Sequence, residues 1–211
     1  MGNRAVITTR KGWLNKETNL GVYLHWNGGK DSVEAFLAYC KLKGYRPPES
    51  DNYGWARLCQ VIGNFFGGTA SVGIDTVSRL DYENFDNGTY IIEDWEIVGR
   101  KHYNRKEQNK YPLQEMLEAI DKTMPRKEQL RDYLKAKEVS TSSLMVGDEV
   151  FIRELSGEMV LYEVVGFGED KVVNGHDVLG VPFVARYGDD GNYSNNPNNY
   201  IFTSTVKLYI D

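Results

Sequence analysis

Apolar and polar positions recur along this chain in two regimes. Up to about residue 105, short strand-like runs alternate with helical stripes, and from Leu144 onward the pattern is strand only. Ala5-Val6-Ile7-Thr8-Thr9 reads as a first strand. Positions 21–26 read as a second, with Val22, Leu24 and Trp26 on one face and Tyr23 and His25 on the other. Asn27-Gly28-Gly29 breaks it. Asp31 is then placed to cap a helix, with Glu34 three residues on completing a capping box. Val33, Phe36, Leu37 and Cys40 form that helix's apolar stripe, beneath which Trp26 is expected to pack, and Gly44 ends it before Pro47-Pro48. Trp55, Leu58, Val61, Ile62, Phe65 and Phe66 mark a second helix stopped by Gly67-Gly68. A strand is predicted over 71–77, and Tyr90-Ile91-Ile92 and Trp95-Glu96-Ile97-Val98 read as paired or bent edge strands. The order β-β-α-α-β-β describes an α+β layer.

Positions 112–138 read as helix. Leu113, Met116, Leu117 and Ile120 share one stripe, and Pro125 suits the first turn of a second helix holding Leu130, Tyr133 and Leu134. Ser140-Thr141-Ser142-Ser143 makes a polar joint. Strands are predicted over 146–152, 160–166, 181–186 and 202–209, with turns at Ser156-Gly157, Asn174-Gly175 and Asp189-Asp190-Gly191. The Asn-rich stretch 192–199 is a loop. Several short strands in so short a segment favour a small barrel of the SH3-like type. The expected organisation is an α+β domain over 1–105, a helical connector over 106–139 and a small all-β domain over 140–211.

Charge sharpens this division. Residues 1–100 carry 11 basic and 12 acidic groups, 101–138 carry 10 and 7, and 139–211 carry 4 and 11, within a net charge of −5. The acidic balance argues against direct nucleic-acid binding through a generally basic surface. No apolar core of a signal sequence follows Met1. The longest uncharged run, 58–74, holds Gln60, Asn64 and four glycines, which does not suit a membrane span. Two cysteines, Cys40 and Cys59, supply neither a disulfide framework nor a zinc set, and their helical positions suit buried free thiols in a reducing cytoplasm. His102 and His176 lie in polar stretches without ligand spacing, so no metal and no cofactor is expected. No Gly-x-Ser-x-Gly, zinc-protease pair or dinucleotide fingerprint is present.

Two strings carry candidate chemistry. Asn27-Gly28-Gly29-Lys30-Asp31-Ser32, between a strand and a helix, resembles the phosphate loop of ATP pyrophosphatases, with Asn27 in place of the serine that opens that signature. The resemblance implies phosphate held by Gly28, Gly29, Asp31 and Ser32 at a helix N-terminus. A tight βα turn with Asp31 as a cap is the competing reading of the same residues. Six acids without an intervening Lys or Arg, Asp81, Glu83, Asp86, Glu93, Asp94 and Glu96, form either an acidic patch able to imitate nucleic-acid phosphates or the solvated side of a hairpin. Tyr187, Tyr193 and Tyr200 around a polar loop suit protein recognition.

Val22-Tyr23-Leu24-His25-Trp26-Asn27-Gly28 also resembles the Tyr-x-His-Trp-Asp/Asn-Gly signature of small proteins of phages, prophages and other mobile elements. The opening Met1-Gly2-Asn3-Arg4-Ala5-Val6-Ile7 and Tyr53-Gly54-Trp55-Ala56-Arg57-Leu58 are similar to members from Gram-positive hosts, and the resemblance covers roughly 1–100. It implies an accessory protein that binds in the bacterial host cytoplasm. Counter-defence of the anti-CRISPR kind is the expected purpose: inhibition of a host immune protein, such as a nucleic-acid-binding effector, or capture of an anionic signal molecule. The alternatives are a nucleotide-handling enzyme built on the Gly28-Gly29 loop and a host-takeover adaptor without a defence target. The expected binding corner is Tyr23, His25, Asn27, Gly28, Gly29, Lys30, Asp31 and Ser32, with His25 and Asn27 projecting from one polar face and Tyr23 beside them.

Overall fold

Every residue of Ala5–Thr9 (β1) is buried, so this strand is covered on both faces. The computed structural model describes residues 2–68, 71–104, 106, 110–130, 132–154, 159–169, 172–173, 176–186 and 199–209. The chain divides into two compact units, 1–130 and 131–211.

In the first unit β1 runs directly into a short helix, Arg10–Leu14 (α1), because the Thr9 hydroxyl accepts a hydrogen bond from the Gly12 N–H at 3.0 Å. Leu20–Leu24 (β2) follows, then Lys30–Leu42 (α2), Asn52–Phe65 (α3), Val72–Thr76 (β3), Thr89–Glu93 (β4), Glu96–Lys101 (β5) and Leu113–Thr123 (α4). The sheet order is β3-β2-β1-β4-β5, antiparallel except for the parallel pair β1–β4. That parallel pair places β4 inside the sheet, which corrects its expected edge position. A long crossover is needed to join parallel neighbours, and α2 and α3 lie within it.

Register separates the two faces. Ile7 stands opposite Val22 and beside Tyr90, whereas Val6 stands beside Thr89 on the other side. On the Tyr90 side, Tyr90 and Ile97 line a cleft together with Lys30 and Glu34 of α2. On the Val6 side, a side chain at Gly21 would meet Leu80, Val6 and Val77, so the segment after β3 covers that face. The helical layer is internally bonded. Phe36 and Phe65 meet edge-on at 5.3 Å, and the Tyr39 hydroxyl, on a fully buried ring, donates to Asp121 of α4 at 2.6 Å. The same Asp121 carboxylate accepts the Leu130 N–H at 2.6 Å.

The helical segment expected over 106–139 is thus divided. Its first part, α4, belongs to the first unit. Beyond it the predicted second helix is replaced by a 3-10 turn, Arg126–Glu128, and a single helical turn, Asp132–Lys135 (α5).

The second unit continues with Lys137–Ser140 (β6), Glu149–Arg153 (β7), Met159–Phe167 (β8), Val172–Val173 (β9), His176–Asp177 (β10), Pro182–Arg186 (β11) and Thr205–Leu208 (β12). β9 and β10 pair with each other, and the other five form an antiparallel sheet ordered β11-β8-β7-β12-β6. Leu144, Val150, Val164, Val184, Ile201 and Val206 make its core. Among the described residues the outer strands β11 and β6 do not pair with each other. β6 takes up the end of the segment expected to be helical, and a 3-10 turn, Thr141–Ser143, lies in the expected polar joint. The three expected turns, together with Tyr187, Tyr193 and positions 192–198, lie outside the described residues. Tyr200 is buried against Phe183 at 5.4 Å, which removes it from the expected recognition loop.

Candidate functional site

β2 ends at Leu24, and the next residues leave the sheet. The His25 N–H donates to the Ser71 carbonyl at 2.9 Å, the His25 carbonyl accepts from Asn3 at 3.1 Å, and Asn27 takes a left-handed φ of 51°. Asparagine tolerates that conformation better than most residues. The turn carries Trp26 out of the strand alternation. Trp26 is therefore 46% exposed instead of packing beneath Val33, Phe36 and Leu37, which are buried without it. Its ring meets His25 edge-on at 4.9 Å, and His25 Nδ1 lies 3.0 Å from the Tyr23 hydroxyl. Tyr23, His25 and Trp26 form a row at the end of the sheet.

Arg4 borders this row. Its Nε donates to Asp86 at 2.7 Å, Nη1 to Asp81 at 2.8 Å and Nη2 to the Asn84 carbonyl at 3.1 Å. A Cβ at Gly2 would lie 3.1 Å from the Arg4 Cγ and 3.4 Å from His25 Nε2, so the N-terminal segment fits between the two side chains. The hydrogen bond that Arg4 donates to Asp86 holds the guanidinium's pKa above its usual value, and burial followed by the charge of Asp81 raises that of the Tyr23 phenol.

The remaining residues of the expected corner, apart from Lys30, turn inward. Asn27 directs its amide toward Ser32 Oγ at 3.5 Å. A Cβ at Gly28 would lie 2.6 Å from the Asn3 carbonyl and 2.7 Å from Ala5, so glycine is required there by the approach of β1. Gly29, rather than Asp31, is the helix N-cap. Asp31 is buried in the first turn, where Oδ1 accepts the Ser32 N–H at 2.7 Å and Oδ2 accepts Lys110 and Tyr111 N–H groups at 2.6 and 3.0 Å. The carboxylate at the helix start is thus a clamp on the segment entering α4. Ser32 is 1% exposed, and Lys30 pairs at 3.5 Å with Glu34. The single expected corner is two structures: an outward aromatic row and an inward polar clamp.

The acidic run also divides. Asp81, Glu83 and Asp86 precede β4, whereas Glu93, Asp94 and Glu96 lie at its far end. Asp81 and Asp86 share Arg4, Glu83 lies 3.7 Å from His102, Glu93 pairs with Arg10 at 3.0 Å, and Glu96 pairs with Lys41 at 2.6 Å. Bonding to Lys41 holds the Glu96 carboxyl below the usual carboxylate range. The six acids do not form one patch.

Phe85 escaped sequence reasoning. It is 63% exposed at a φ of 53°, an uncommon conformation for a bulky residue. Buried Asn84 fixes the loop: its Nδ2 donates to the Asp81 and Gly88 carbonyls, and its Oδ1 accepts from Asp86 and Gly88 N–H groups at 3.0 Å. The string Asn84-Phe85-Asp86-Asn87-Gly88 was the available signal, since Asn, Asp and Gly favour such turns. The Phe85, Tyr82 and Trp13 rings each lie within 6 Å of His102, at 5.8, 5.9 and 5.7 Å.

Burial raises the pKa of the Cys40 and Cys59 thiols, opposing thiolate chemistry at both. Among the described residues no group of three or more His, Cys, Asp or Glu is arranged to hold a metal, and no helix is long and apolar enough to cross a membrane. No protein-family model matches the chain, and neither the curated proteins nor the solved structures give a match.

Proposed function

We propose that this is an accessory protein of a phage or other mobile element that binds a host immune protein in the host cytoplasm and so counters defence. The Tyr23-x-His25-Trp26-Asn27-Gly28 resemblance supplies the setting. The observation that carries the binding reading is the Tyr23–His25–Trp26 row, held by backbone bonds to Ser71 and Asn3 with Trp26 46% exposed. Half-exposed aromatic side chains fixed before binding supply contact area at little entropic cost, and such residues dominate interface energetics. The row adjoins Arg4, Asp81 and Asp86, so an apolar centre would be bordered by polar groups, the anatomy common to protein interfaces.

We read the second unit as an SH3-like module. Support comes from the antiparallel run β7-β8-β11 and from the pairing of the unit's first and last strands, β6 and β12.

Affinity capture from host lysate tests the function. The wild-type chain and a Trp26→Ala variant serve as baits, and bound proteins are quantified by mass spectrometry. An immune effector retained by the wild type and lost by the variant is the expected result. Equal retention by both baits would remove the row from the interface, and a captured protein outside defence would favour a host-takeover adaptor.

A further inference from the structure

We infer that the second unit binds a small aromatic acid, a planar ring bearing a carboxylate, in a cleft between β7 and β12. The register of these two strands ends at Phe151–Lys207. Beyond that point β7 stays with β8, through Ile152–Val160 and Arg153–Met159, whereas β12 stays with β6, through Val206–Val139 and Thr205–Ser140. The sheet parts there. Ile152 and Arg153 on one side and Thr205 and Val206 on the other line a cleft of about 390 Å³. That volume suits a small molecule. Its described lining lies wholly within the second unit.

The wall of the cleft sets the apolar half of the ligand. Val184, Ile201 and Val206 belong to the unit's core and also line the cleft, so a guest in it packs against the core itself. Aromatic rings stand beside them. Tyr133 meets Phe151 edge-on at 5.4 Å, and Tyr200 lies 6.2 Å from Phe202, which is 53% exposed. Ring–ring contacts add to simple burial, so this wall favours a planar aromatic guest over an aliphatic one of equal area. Charge sets the other half. Residues 139–211 carry 4 basic and 11 acidic groups, yet two of the basic ones, Arg153 and Lys207, line the cleft and none of the described acidic ones does. Glu138 supplies the one carboxylate of the described lining. The Lys207 ammonium donates to the Ala136 carbonyl at 3.1 Å, which fixes its position and takes one of its three donors. It lies 6.0 Å from the Tyr133 ring, so cation and ring surface sit together. A ring bearing a carboxylate is the chemistry that meets both. The inference goes beyond the binding reading above, which concerns the first unit.

Titration of the full, methyl-labelled chain with 2-naphthoate, followed by NMR, tests it. Neutral 2-naphthamide and non-aromatic cyclohexanecarboxylate serve as matched probes. Saturable binding of 2-naphthoate is expected, with shifts concentrated on the methyls of Ile152, Val184, Ile201 and Val206, and both matched probes should bind more weakly. Lys207→Met keeps the apolar stem and removes the charge. It should weaken 2-naphthoate about fivefold, the scale of a partly exposed ion pair, and leave 2-naphthamide unchanged. Phe202→Ala should weaken both naphthyl probes, and a circular dichroism spectrum matching wild type shows that each variant is folded. If Lys207→Met fails to fold, the acid–amide comparison on the wild type decides the role of charge. Binding of 2-naphthoate that never saturates, shifts centred away from those four methyls, equal affinity for acid and amide, or full affinity in a folded Lys207→Met variant would each overturn the proposal. Capture of a host protein by the aromatic row is read separately, so failure here would leave that reading standing.

Discussion

Trp26 and Asp31 lie close in sequence and have opposite roles. Trp26 faces solvent, and Asp31 is buried with its carboxylate bonded to three backbone N–H groups. Trp26→Ala is therefore expected to change stability by no more than about 0.5 kcal/mol, as for other surface positions, and urea unfolding checks this. A loss of several kcal/mol would mean that the ring packs inside. Asp31→Ala leaves the Lys110 and Tyr111 N–H groups without their acceptor, and it should cost about 1.5–3 kcal/mol, the range for hydrogen bonds to a charged group. Hydrogen exchange should show those two amides losing protection first. If both keep their protection, the clamp is not what holds the entry to α4. Sequence made Val22, Leu24, Val33, Phe36, Leu37 and Cys40 legible as core, because strand and helix periods repeat over several residues. Trp26 broke the same rule because one left-handed residue, Asn27, ends the strand before the alternation reaches it.

At the scale of elements, a buried hydrogen bond ties α2 to α4: the hydroxyl of Tyr39 donates to Asp121. Burial, then the bond to Asp121, raises the Tyr39 pKa, and burial pushes Tyr45 up to about 12. In the unfolded chain both phenols ionise near pH 10. Their contribution to stability is thus complete below about pH 10 and declines as pH rises, because the unfolded state releases protons before the folded state does. Urea unfolding at pH 8 and pH 11 should show lower stability at the higher value. Tyr39→Phe should reduce that difference and should cost about 1 kcal/mol at pH 8. Equal stability at both values would contradict the burial of these hydroxyls. The stripes of α2, α3 and α4 were readable because each spans three or more turns. The segment after Pro125 was not. Asp121 takes the Leu130 N–H, and the Gln129 side chain donates to the Met124 carbonyl at 3.0 Å, so tertiary hydrogen bonds hold it out of the predicted helix. The parallel β1–β4 pair was equally hidden, because it joins Val6 to Thr89 and no local pattern records such a partner.

At the scale of the whole molecule, the chain combines an α+β unit with a mostly β unit, and its candidate recognition surface lies in the first. The surface was half legible. Tyr23, His25 and Trp26 stood out as a motif, but Arg4 came to border the row, and the loop carrying Phe85 came to Arg4, only through folding. Phe85, fixed by Asn84 and standing clear of the loop, is expected to be a second anchor. Phe85→Ala should leave the melting temperature nearly unchanged and weaken partner binding, by titration calorimetry, less than loss of the row does. A variant that melts early instead would make Phe85 a structural residue. We propose that Tyr23, His25 and Trp26 recognise a partner and do not hold the fold. The most direct test is the affinity of the captured host protein for a His25→Ala/Trp26→Ala double variant, measured against wild type under conditions where both are fully folded. Loss of on the order of 2 kcal/mol, roughly thirtyfold in Kd, is the expected result for a hot-spot pair. Unchanged affinity would show that the row is not the recognition surface.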